Sequence, residues 1–165
     1  MPMNKVPTPA AAGHDLEVVR AVLERRAGLP GALLPILHDV QDALGHVPRA
    51  AVPEIADALG LSRAEVHGVV SYYHHFRDAP AGRTVVQVCC AESCQAMGSD
   101  VLLAHVKQRL GCDLHGTSAD GAFTLEPVYC LGLCACSPAV MVGGEPHARV
   151  TPQGFDELVA NGRPA

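Results

Sequence analysis

At 165 residues, with 48% hydrophobic and 18% charged side chains, the chain has room for one domain or two small ones and enough apolar material for packed cores, which excludes an intrinsically disordered protein. A formal charge of −5 excludes a general attraction to nucleic acid or anionic membranes, and no uninterrupted apolar run approaches the length of a membrane span. The opening MPMNKVPTPAAAG has one lysine but no apolar h-region, so it reads as a flexible Pro/Ala tail over residues 1–14 and not as a secretory signal. A cytoplasmic protein is the expectation.

Residues 15–77 read as a helical bundle. Asp15 is expected to cap a first helix that runs to about Ala27, with Gly28 beyond it. In GALLPILHDVQDALG, Leu33, Ile36, Leu37, Val40 and Leu44 recur at helical spacing; Pro35 fits the first turn and Gly45 the stop. Pro53 is expected to open a short helix through Leu59. Ser62 and Glu65 form the S-x-x-E capping box of the next, whose apolar stripe is Val66, Val69, Val70 and Tyr73. Helices this short are stable only when packed on one another or on a partner.

The polar stretch RDAPAGR, residues 77–83, is the expected boundary. After it, TVVQVCC reads as a buried strand ending in cysteine, and SDVLLAHVKQRLG as a helix capped by Ser99 or Asp100 and closed by Gly111. AFTLEPVYC and AVMVG read as strands and ARV as a short edge strand. TPQGFDELVA reads as a final helix with Thr151 as cap and Pro152 at its first position. Strand, helix, strands and helix within residues 83–165 point to a thioredoxin-like α/β layer. The fold expected is an α+β chain in two parts.

All seven cysteines lie between positions 89 and 136, six of them in the two patches VCCAESC and CLGLCAC. In a reducing compartment such clustering points to metal or redox chemistry more than to disulfides, and an odd count argues against complete pairing. Cys89-x4-Cys94 and Cys130-x3-Cys134 each follow an expected strand and enter a loop, where backbone N–H groups can point at sulfur. Gly98, Gly132 and Ala135 let the backbone approach closely. A [2Fe–2S] cluster, which takes four thiolates, fits this arrangement. Structural zinc usually uses C-x2-C pairs, although x4 is allowed, and a thioredoxin-type dithiol needs a C-x-x-C that does not occur here. From spacing, zinc and inert or redox thiols stay open beside the cluster. Of the nine histidines, the adjacent His74 and His75 read as solvated or partner-facing surface before metal ligands.

Apolar strand, C-x4-C, helix, then CLGLC before SPAVMV resembles the thioredoxin-like [2Fe–2S] subunit of NADH dehydrogenase (complex I) and its relatives in soluble NAD-linked hydrogenases and formate dehydrogenases. LLPILHDVQDALGHVP and IADALGLSRAEVHGVVSYYHHF in the helical half are similar to the same family, so the resemblance covers about residues 15–160. Within it, AESCQAMG and CLGLCACSPAVMV look most like the gamma subunit of NAD-dependent molybdenum formate dehydrogenase. The resemblance implies a [2Fe–2S] ferredoxin domain over 83–165, with Cys89, Cys94, Cys130 and Cys134 as ligands. Cys90 stands where relatives usually carry another residue, and Cys90-x3-Cys94 would mirror the second pair; Cys89 is favoured because it holds the strand end. Cys112 and Cys136 are then non-ligating thiols.

No G-x-G-x-x-G and no G-x-x-x-x-G-K-[ST] occurs, so the chain is not expected to bind NAD alone or to have a catalytic site of its own. All-thiolate ligation implies a potential on the order of a few hundred millivolts below zero. The resemblance implies a partner subunit carrying flavin, an NAD site and a [4Fe–4S] cluster. In a formate dehydrogenase a larger molybdenum/iron–sulfur subunit would join them. A different class of reading takes IADALGLSRAEVHGVVSYY as a helix-turn-helix, and the protein as a redox-sensing [2Fe–2S] transcription regulator. Between 62 and 77 that reading has only Arg63 and Arg77 for phosphate contacts, beside Glu65 and within an acidic chain.

Overall fold

The computed structural model describes residues 9–161, which form two compact units divided between Pro80 and Ala81. The first holds four helices: α1 (Pro9–Arg26), α2 (Leu33–Leu44), α3 (Ala51–Leu59) and α4 (Arg63–Tyr72). Its core joins Val19 and Val22 of α1, Ile36, Leu37 and Val40 of α2, Ile55 of α3 and Val66 of α4. Gly45 and Gly60 end α2 and α3 in the left-handed region, which glycine enters without steric cost. The amide of buried Gln41 fixes the chain after α4. Its Nε2 donates to the His75 carbonyl at 2.7 Å, and its Oε1 accepts from the Arg77 N–H at 2.8 Å.

Two expected helix starts are corrected. Asp15 lies inside α1, which is already helical from Pro9; residues 1–8 of the expected tail lie outside the described residues. Pro53 is the third residue of α3, where its missing N–H is still one that no intrahelical carbonyl would use. Of the expected α4 stripe, Val66 is buried and Val69 and Val70 pack against the core, whereas Tyr73 lies past the helix end and is exposed.

The second unit is a five-stranded sheet in the order β2-β3-β1-β4-β5. Its strands are β1 (Thr84–Cys89), β2 (Gly116–Thr117), β3 (Phe123–Val128), β4 (Ala139–Val142) and β5 (Glu145–Ala148). β1 pairs parallel with β3, placing Cys89 opposite Val128, and antiparallel with β4, placing Val88 opposite Val140. The helices are α5 (Glu92–Ala96), α6 (Ser99–Leu110) and α7 (Pro152–Asn161). Val86, Val88, Leu125 and Val140 point from the sheet into one core with Leu102 and Val106 of α6 and Phe155 of α7. Strand alternation sends Cys89, Val128 and Ala139 to the opposite face, where they form a separate apolar cluster at the strand ends.

Short elements account for the differences in this half. β2 and α5 were not expected, since two and five residues are too few to show a period. The edge strand is Glu145–Ala148, so of ARV only Ala148 belongs to it. Neither Ser99 nor Asp100 caps α6. Gly98 takes that place at φ 89°, and the buried Ser99 hydroxyl finds no hydrogen-bond partner among the described residues. Thr151 does cap α7, accepting the Gly154 N–H at 3.1 Å.

The capping box of α4 is reciprocal: the Glu65 N–H donates to Ser62 Oγ at 3.2 Å and the Ser62 N–H to Glu65 Oε2 at 2.8 Å. Hydrogen bonds from the Ser62 backbone and hydroxyl hold the Glu65 carboxyl below its ordinary value. A carboxylate whose folded value is depressed stabilises above its unfolded value, and that contribution disappears as pH falls through the folded one. Ser62→Ala is expected to destabilise the helical unit by about 1 kcal/mol in denaturant melts followed by far-UV circular dichroism. Glu65→Gln is expected to flatten the acid limb of the stability profile.

Candidate metal centre

Two loops leaving the same end of the sheet build the centre. β1 and β3 run parallel, so the segments that follow them emerge side by side. The first carries Cys89 at the end of β1 and Cys94 in α5. The second carries Cys130 and then Cys134, where a 3-10 turn (Cys134–Cys136) leads toward β4. Cys94 therefore stands on a helical turn and not in an open loop. All seven thiols are free.

The four favoured cysteines come together. Cys89 and Cys94, each 2% exposed, are hydrogen-bonded to one another beneath Leu131, Leu133 and Ala139. Cys130 and Cys134 are exposed, with their sulfurs 3.5 Å apart. Both buried sulfurs act electrostatically on Cys134. Among the described residues no three His, Cys, Asp or Glu side chains already surround a point suited to a single metal ion. The four thiols are gathered as two pairs.

Backbone N–H groups are aimed at these sulfurs from both loops. Those of Ala91 and Leu131 favour the Cys89 thiolate, that of Ala139 favours Cys94, and that of Gly132 lies 3.3 Å from Cys130 Sγ. Gly132 can turn its amide this way because it sits at φ 77°; a Cβ there would meet nothing within 4 Å, so conformation and not space calls for glycine. Cys130 itself adopts φ 127°, which costs on the order of 1–3 kcal/mol for a residue with a side chain. Such strain concentrates at functional sites.

The thiols differ in acidity for identifiable reasons. Burial pushes Cys89 up against the help of the Ala91 N–H. Burial also acts on Cys94, but bonds to Ser137, Cys89 and the Ala139 N–H outweigh it, and the net shift is down. Cys134 is raised, first by its hydrogen bond with Cys130 and then by the charge on that neighbour. An all-sulfur set with four N–H donors directed at it suits an iron–sulfur cluster, which draws extra negative charge onto its ligands on reduction.

Cys90 points elsewhere. Its Sγ donates to the Val88 carbonyl at 3.4 Å, and Cys89, Asp100, Cys94 and Lys107 act on it electrostatically. Burial, the largest cause, pushes the Cys90 thiol up. Cys112 packs against the main core of the sheet, and Cys136 lies in the 3-10 turn with its backbone tied to Leu133 and Arg149. In the helical unit, the His75 ring lies 5.1 Å from that of His38, tilted by 38°; His74 and His75 are both exposed.

A family profile for the thioredoxin-like [2Fe–2S] ferredoxins matches residues 19–163. The chain belongs to that family. A component of the NADH-quinone oxidoreductase of Rhizobium meliloti is 35% identical over 149 residues, covering 90% of this chain and 89% of the relative. The HndA component of the NADP-reducing hydrogenase of Solidesulfovibrio fructosivorans is 33% identical, covering 86% and 84%. Among solved structures, an NAD+-reducing [NiFe]-hydrogenase in the air-oxidized state shares the fold with a TM-score of 0.66 at 25% identity over 84% of this chain. The chain spans only 23% of that larger polypeptide. The cofactor of this protein is a [2Fe–2S] cluster, and the chain is an electron-transfer subunit of the class used by NADH dehydrogenases and NAD(P)-reducing hydrogenases.

Sequence reasoning missed Ser93 and Ser137, which join the two cysteine loops, and the left-handed backbone of Cys130. Both serines lie in the quoted segments, Ser93 in AESCQAMG and Ser137 in CLGLCACSPAVMV, but nothing in their spacing indicates a bond to each other or to Cys94. Alanine at Cys94, Cys130 or Cys134 is expected to abolish or destabilise the cluster in iron and sulfide assays of purified protein. Cys112→Ala and Cys136→Ala should keep full iron. Cys89→Ala should lose it and Cys90→Ala retain it; the opposite pair of results would assign the ligand to Cys90.

Proposed function

We propose that Cys89, Cys94, Cys130 and Cys134 hold the single [2Fe–2S] cluster, and that the chain passes electrons within a multi-subunit NAD-linked oxidoreductase. The observation that carries this reading is the convergence of a buried and an exposed cysteine pair at one end of a parallel strand pair. When bound, the cluster supplies one-electron redox chemistry at low potential. The protein holds four thiolates, directs N–H groups at them and keeps water from the inner pair with Leu131, Leu133 and Ala139. The exposed pair, next to the solvent-facing Tyr129, is the side through which electrons exchange with a partner.

That partner is a flavin- and NAD-binding subunit with a [4Fe–4S] cluster. Support comes from the relatives, which are subunits of NADH-quinone oxidoreductase and of a hydrogenase. The helical unit offers it an apolar landing site. An open groove of about 530 Å³ lies between Leu33, Leu61, Val69, Tyr72 and Tyr73, and Tyr72 is 75% exposed. An exposed apolar surface rimmed by polar groups commonly marks a protein interface.

Within this class, the gamma subunit of a cytoplasmic molybdenum formate dehydrogenase is the most specific reading. AESCQAMG and CLGLCACSPAVMV support it, because these are the segments that look most like that subunit. A larger molybdenum/iron–sulfur subunit would then deliver electrons from formate to the shared flavin. Native purification tests both levels. The expected result is co-purification of a flavin/NAD subunit and of a large chain with stoichiometric molybdenum. Nickel in place of molybdenum would move the assignment to a hydrogenase, and a membrane quinone-reducing assembly would move it to complex I. Tyr72→Asp should release the flavin subunit while leaving the iron content unchanged.

A further inference from the structure

Two serines link the cysteine loops. Ser93, in α5, stands one residue before Cys94, and Ser137 lies between the 3-10 turn and β4. Their Oγ atoms are 3.0 Å apart, and each lies 3.0 Å from the carbonyl oxygen of Cys134. Ser137 Oγ is also 3.5 Å from Cys94 Sγ, in a position only 8% exposed. One hydroxyl pair therefore touches a buried sulfur from the first loop and the backbone of an exposed cysteine from the second.

Counting protons gives this arrangement a direction. Each hydroxyl has one proton to donate. While Cys94 is a thiol, its own proton goes to Ser137 Oγ, and both serine hydroxyls can serve the Cys134 carbonyl. As a thiolate on iron, Cys94 has no proton, so the Ser137 oxygen would face sulfur lone pair against lone pair. Turning the Ser137 proton onto sulfur removes that conflict. Ser93 permits the turn, because its hydroxyl keeps a donor on the Cys134 carbonyl.

We propose that Ser137 donates a hydrogen bond to the cluster ligand Cys94 and thereby raises the cluster's reduction potential, with Ser93 as the positioning residue that frees the Ser137 proton. A donor to a ligand thiolate favours the reduced cluster, which carries one more negative charge. This rests on Cys94 being a ligand.

The test uses the holoprotein, with midpoint potentials from EPR-monitored redox titration and Fe–S(Cys) stretching frequencies from resonance Raman spectra. Ser137→Ala is expected to lower the ratio of reduced to oxidised cluster at fixed potential by on the order of tenfold, equivalent to about 59 mV for a one-electron couple. Its Fe–S(Cys) modes should move to higher frequency and lose their sensitivity to deuterium oxide. Ser137→Thr, which keeps the hydroxyl, should restore both. Ser93→Ala should shift the potential in the same direction but less far, since the Ser137 proton is then shared with the Cys134 carbonyl. Wild-type potential and Raman spectrum in Ser137→Ala would overturn the proposal. If Ser137→Ala fails to hold a cluster, an unchanged potential in Ser93→Ala would overturn it equally. A full cluster in Cys94→Ala would instead refute the ligand assignment on which the proposal rests.

Discussion

The parallel pairing of β1 with β3 is the constraint on which the redox centre depends. Because the two strands run the same way, Cys89 at the end of one lies opposite Val128 at the end of the other, and both cysteine loops start from one edge of the sheet. Antiparallel pairing would have sent the loops to opposite ends. Alternation along β1 adds the second constraint: Val86 and Val88 face the helices, so Cys89 must face away. A slip of one residue would exchange Cys89 for Cys90 and put a core valine in solvent. The proposed choice of Cys89 over Cys90 as ligand is thus tied to the hydrophobic register.

The centre is asymmetric in a way that suits electron transfer. One pair of thiols is shielded by leucines and alanines, which limits water access, and the other meets solvent at the strained Cys130. N–H groups and the two serine hydroxyls come from both loops, so the polar shell around the sulfurs also ties the loops together. The exposed Tyr72 and Tyr73 border the groove that we propose the flavin subunit covers. The Ser62-capped helix carries too few basic side chains for the phosphate contacts of a DNA reader.

Much of this was legible in the sequence because the signals were long or chemically specific. Helical spacing in Leu33–Leu44, the S-x-x-E box at Ser62 and the apolar run of β1 each report a local preference that the fold keeps. Glycine was a more reliable signal at helix ends than polar residues at helix starts. Gly45 and Gly111 close helices as expected, whereas Asp15 and Ser99 lie inside them. What was hidden is non-local or too short to have a period: α5 under Cys94, the two-residue β2, and the bond of Ser137 to a cysteine 43 residues away in sequence. The opposed directions of Cys89 and Cys90 follow from strand alternation once the end of β1 is known, but adjacent cysteines carry no mark of where that strand stops.

Metal and sulfide analysis of anaerobically purified protein, joined to EPR of the dithionite-reduced sample, tests the central claim most directly. The account predicts about two irons and two acid-labile sulfides per chain, with the rhombic low-temperature signal of a one-electron-reduced [2Fe–2S] centre. Stoichiometric zinc with no iron, no sulfide and no signal would contradict it.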